Sequence, residues 1–138
     1  MPLFSLVAKP DHGPLSRILL RLRHDLVMIR RAGIVPLPDI LAERLEPLLA
    51  RMGASASNYL RGCATALAWR RSAPSADPIE ATLEAYTSEI TALRNEGLLR
   101  RLSSSELERI FTLGFALEQL QQNLSDLERC LRENARLP

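Results

Sequence analysis

Hydrophobic residues recur along most of this chain at alternating spacings of three and four, the signature of helices that each bury one face. From Pro14, the positions Leu15, Ile18/Leu19, Leu22, Leu26 and Ile29 predict a helix over about 14–32, closed by Gly33 and Pro36. A second stripe, Leu41, Leu45, Leu48, Met52, Ala56, Tyr59, Cys63 and Ala66, predicts a helix over about 38–71. Pro47 lies inside it and removes the amide that would bond to the Glu43 carbonyl, so a kink or break is expected near 43–47. Gly53 and Gly62 weaken the same helix and leave room for close helix contact.

After a Ser/Ala/Pro linker, Asp77-Pro78-Ile79-Glu80 announces a third helix over about 78–97, with Asp77 as cap, Pro78 in the first helical position and Glu80 in the capping-box place. Its stripe is Ile79, Leu83, Tyr86, Ile90 and Leu93. Ser103-Ser104-Ser105-Glu106 offers the next N-cap, and a fourth helix over about 104–135 follows. Its positions Ile110, Leu113, Leu117, Leu120, Leu124, Leu127 and Leu131 keep an unbroken three-four rhythm, the a/d seam of a bundle. Short connections favour antiparallel neighbours, so the expected fold is all-α: an antiparallel four-helix bundle, up-down-up-down, with helix 2 kinked near Pro47. Residues 1–13, with Pro2, Pro10 and Gly13 and no helical period, are expected to be an extended lead-in to a single domain over 14–135. An even number of helices returns both chain ends to one end of the bundle.

Composition supports this reading. A chain of 138 residues can bury one core of its own. Leu, Ala and Arg dominate, Lys occurs once and aromatics are few, which suits helices and argues against a large sheet. Cys63 and Cys130 are too few for a disulfide framework and are expected to be reduced thiols in a cytoplasmic setting. No stretch reaches the roughly 20 apolar residues that span a bilayer, so a soluble chain is expected. The net charge of +2 gives no ground for a nucleic-acid partner, yet its distribution is uneven. Residues 1–72 carry 11 Lys/Arg against 5 Asp/Glu, and residues 73–138 carry 7 against 11. Pairing within the molecule is the favoured explanation, ahead of an oligomer contact or a basic face toward an anionic surface.

Candidate chemistry is sparse. His24 and Asp25 are adjacent, but neighbours on a helix point about 100° apart, so a surface or helix-pairing role is favoured over a metal or acid/base site. No nucleophile arrangement, phosphate loop, di-metal pattern or zinc spacing occurs, so no catalytic, cofactor or metal residue is assigned and no enzyme is expected. A small helical enzyme that holds an aromatic carboxylate with buried arginines ranks last. Arg17, Arg21, Arg23, Arg30 and Arg31 cover the non-core face of helix 1; acidic partners on helix 3 or 4 are favoured over lipid headgroups. Trp69-Arg70-Arg71 suits either a membrane interface or the cover of a core end. Gln121-Gln122-Asn123 is expected to face water, with helix-pairing specificity as the other option. Phe111 and Phe115 are read as core in preference to the lining of an aromatic-ligand pocket.

Two segments carry a resemblance: Leu22-Arg23-His24-Asp25-Leu26-Val27-Met28-Ile29 and Leu113-Gly114-Phe115-Ala116-Leu117-Glu118-Gln119-Leu120-Gln121-Gln122-Asn123-Leu124. With Pro36-Leu37-Pro38 and the helices between, residues 15–133 resemble the soluble part of the fusaric acid resistance-like (FUSC) family, related to aromatic acid exporters. The resemblance implies a helical domain on the cytoplasmic side of a bacterial inner membrane, serving assembly, gating or regulation of an exporter of aromatic carboxylic acids. Its implied partners are the transmembrane part of the same transporter and anionic lipid headgroups, with a homo-oligomer as a further option. Transport residues do not carry over, because this sequence holds no transmembrane segment. In that setting Arg17, Arg21, Trp69, Arg70, Arg71, Arg129, Arg132 and Arg136 are expected at the membrane-proximal end. The alternative is a stand-alone helical scaffold that self-associates or binds partner helices.

Overall fold

A computed structural model describes residues 13–33 and 36–135. Helix α1 spans Gly13–Gly33, α2 Asp39–Trp69, α3 Asp77–Asn95 and α4 Ser104–Ala135, with a short 3-10 turn at Leu98–Arg101 before α4. The expected lead-in over 1–13 falls outside the described residues except for Gly13, which already belongs to α1.

The helices form an antiparallel four-helix bundle, up-down-up-down. Cross-helix contacts fix the directions. Arg21 reaches Asp126 and Asp25 meets Asn123, so α1 and α4 run oppositely. Arg44, near the start of α2, bridges Glu89 and Glu96 near the end of α3. Tyr86 lies against Gly114, and Leu83 faces the same hollow as Gln121, so α3 and α4 are antiparallel too. The closest pairings are α1 with α4 and α2 with α3.

The predicted stripe of α4 is buried throughout, from Ile110 to Leu131, with Leu124 at 0 % exposure. It meets Leu41, Leu45, Met52, Tyr59, Ile79, Tyr86 and Leu93 in one continuous core. Ser103 is the expected N-cap of α4, and with Glu106 it closes a capping box: the Ser103 amide donates to Glu106 Oε1 at 2.9 Å, and the Glu106 amide donates to Ser103 Oγ at 3.2 Å. The Ser103 amide, and after it the Ser103 hydroxyl, hold the Glu106 carboxyl below its ordinary range.

Four local expectations change. Of the kink or break expected in α2, no break occurs: the helix is continuous through Pro47, which sits on its exposed side. The cap of α3 lies one residue earlier, at Ala76, and the Asp77 amide donates to Ser75 Oγ at 3.1 Å. Gly62 makes room for the linker instead of a helix: a Cβ there would stand 3.0 Å from Pro74 Cγ, and at Gly53 it would meet nothing within 4 Å. Finally, the buried face of α1 is Ile18, Leu22 and Asp25, whereas Leu19 and Leu26 are 49 % and 46 % exposed. The spacing of Ile18, Leu22, Asp25 and Ile29 is itself helical, and a carboxylate in the stripe disguised it.

Candidate functional site

Helix order places the start of α1, the end of α2, the start of α3 and the end of α4 at one end of the bundle. This terminal end is finished by the linker that joins α2 to α3. Ala76 is buried there, and its amide donates to Glu128 Oε2 at 3.4 Å. Trp69, the last residue of α2, is 71 % exposed, so it does not cover the core. Arg70 follows in the left-handed region at φ 52°, and the Arg71 amide bonds back to the Ala66 carbonyl at 2.9 Å. Only glycine takes that conformation freely; a side chain there costs about 1–2 kcal/mol.

The structure brings Arg17, Arg21, Trp69, Arg70, Arg71, Arg129 and Arg132 into the terminal half of the bundle, and Arg136 lies outside the described residues. They are not equivalent. Arg21 and Arg129 both pair with Asp126, at 3.7 and 3.5 Å, and Arg132 pairs with Glu128 at 2.6 Å. Arg17, Arg70 and Arg71 make no ion pair among the described residues, which leaves three such cations at the same end as the exposed indole. Arginines also occupy the opposite end, at Arg30, Arg31, Arg100 and Arg101, so Trp69, more than charge alone, distinguishes the terminal end.

His24 and Asp25 separate as their helical angle requires. His24 faces a cleft between α1 and α4, and Asp25 is 6 % exposed. The Asn123 amide nitrogen donates to Asp25 Oδ2 at 2.5 Å, which pairs a buried carboxylate with a charge-assisted bond. Asn123 is also 6 % exposed, so it does not face water; Gln122 does, and Gln121 is half-buried. Its signal was the spacing from Ala116 and Leu120, which puts Asn123 on the side of α4 turned to α1.

Phe111 and Phe115 are not core: they are 50 % and 63 % exposed. Phe115 stands as a ridge between two clefts. One, of about 470 Å³, runs between α1 and α4 and is lined by Leu20, Met28, Ala116 and His24. The other, of about 330 Å³, lies between α3 and α4 and is lined by Phe111, Tyr86, Ile90 and Arg94. Tyr86 is buried, its hydroxyl has no hydrogen-bond partner among the described residues, and burial pushes its pKa up to about 12. Tyr59, by contrast, donates to the Leu124 carbonyl at 3.2 Å.

Burial pushes the Cys63 and Cys130 thiols up, which keeps them protonated and poor nucleophiles near neutral pH. Among the described residues no group of three His, Cys, Asp or Glu side chains could hold a metal, and no helix is long and apolar enough to cross a membrane. Comparison with protein-family models, curated proteins and solved structures returns no match.

Proposed function

We propose that this bundle is an accessory domain of an inner-membrane exporter of aromatic carboxylic acids of the FUSC type, held on the cytoplasmic side with its terminal end toward the bilayer. The observation that carries this reading is the composition of that end: Gly13 and Ala135 lie there, with exposed Trp69 and with Arg17, Arg70 and Arg71, which make no ion pair among the described residues. Indole and guanidinium groups suit the headgroup region, and arginines on the cytoplasmic face suit its anionic lipids. The resemblance of residues 15–133 to the family's soluble part supports the same reading. The domain's work in this reading is assembly, gating or regulation, the role that the resemblance implies.

Flotation with vesicles containing phosphatidylglycerol tests the orientation. The chain is expected to float with anionic vesicles and not with neutral ones, and the combined changes Arg17→Glu, Arg70→Glu and Arg71→Glu are expected to release it. In cells, removal of residues 14–135 from the encoding reading frame is expected to raise sensitivity to fusaric acid. Unchanged sensitivity together with unchanged flotation would contradict the proposal.

A further inference from the structure

The seam between α1 and α2 is the loosest of the four around the bundle, because α1 leans on α4. It opens a groove of about 380 Å³ lined by Leu19, Leu26 and Val27 of α1 and Leu60 of α2, with Arg23 and Arg30 along its edge. Leu19, Leu26 and Val27 are 49 %, 46 % and 40 % exposed, which is unusual for large apolar residues gathered on one face. Leu19 and Leu26 are seven residues apart, so the α1 wall repeats at the interval of a helical stripe.

Among the described residues of α1 and α2, the charge around the groove has one sign. The sole carboxylate of α1 is Asp25, buried against Asn123, and α2 carries none from Pro47 to Trp69. Arg23, Arg30, Arg51 and Arg61 are exposed and make no ion pair among the described residues. A second copy docking through the same face would set arginine against arginine, and a lipid surface would meet a trough instead of a flat apolar band.

We infer that the α1–α2 groove is the docking site for a fifth helix, an amphipathic segment whose apolar stripe is flanked by Asp and Glu. Its apolar positions at i, i+3 or i+4, and i+7 seat between Leu19, Leu26 and Leu60, and its carboxylates meet Arg23 and Arg30. This assignment stands whether or not the terminal end faces a bilayer.

Selection of a phage-displayed library of helical peptides on the intact chain tests it. The enriched peptides are expected to be acidic and to repeat apolar residues at helical spacing. They are expected to lose at least about tenfold in affinity for Leu26→Glu, and peptides with Lys in place of Glu are expected to recover binding on Arg23→Glu. Both substitutions lie at exposed positions, so an unchanged thermal melt checks that the fold survives. No enrichment over the Leu26→Glu chain, enrichment of basic peptides, or equal binding to both chains would overturn the assignment. Two other outcomes would also overturn it: a dimer mass abolished by Leu26→Glu, which gives the face to a second copy, and anionic vesicle binding lost in that variant without peptide binding, which gives it to lipid.

Discussion

Two tyrosines of similar burial separate what a hydroxyl contributes from what it costs. Tyr59 reaches the Leu124 carbonyl, and the Tyr86 hydroxyl reaches no partner among the described residues. Tyr59→Phe is therefore expected to lower stability by about 1 kcal/mol, while Tyr86→Phe is expected to leave it unchanged or raise it by about 1–2 kcal/mol, in urea unfolding. Arg70 poses a similar contrast. Its left-handed backbone makes Arg70→Gly a change that is expected to stabilise the fold by about 1 kcal/mol, and the same change removes one of the three cations of the terminal end that make no ion pair among the described residues. Stability and vesicle binding should thus move in opposite directions, which a merely structural Arg70 would not produce. At Asp25–Asn123, Asn123→Ala is expected to cost about 2–3 kcal/mol because it strands a buried carboxylate, whereas replacing both residues with leucine is expected to recover most of that loss.

Along single helices, what the sequence disclosed depended on how pure the stripe was. The α4 seam is uniformly aliphatic, so its period predicted both the helix and its buried face; Leu124→Ala at its centre is expected to cost about 2–5 kcal/mol, against little for the half-exposed Leu26→Ala. In α1 the aliphatic residues outnumber the positions that one face can bury, and the choice of face was decided by a partner 98 residues away. Leu26 therefore looked like core and Asp25 did not. Phe111 and Phe115 were misplaced for the same reason: a stripe identifies its own residues and says little about aromatic residues on its flank. The Ser103 cap, which closes the box with Glu106, was legible because capping is local. Its pH effect has a defined sign. The Glu106 carboxyl is depressed in the folded state, so its contribution is present above the carboxyl's ordinary range and is lost as pH falls through the lowered value. Glu106→Gln is expected to flatten the acid limb of the stability profile.

Across the whole molecule, helix parity does most of the functional work. Four alternating helices bring Gly13 and Ala135 to one end, and the linker places Trp69 and Arg70 there too. The sequence anticipated this end from parity and charge, but it could not show which arginines are already spent. Asp126 and Glu128 pair with Arg21, Arg129 and Arg132, so only Arg17, Arg70 and Arg71 are left without an ion pair among the arginines described there. The α1–α2 groove runs along the side of the bundle, so an end facing lipid and a side holding a helix are compatible.

Trp69 is the single tryptophan of the chain and stands at that end, so its fluorescence reports the orientation without any label. With phosphatidylglycerol vesicles at low ionic strength, its emission is expected to shift to the blue and to become protected from acrylamide, and salt is expected to reverse both changes. Emission and quenching that stay the same with and without vesicles would contradict the account.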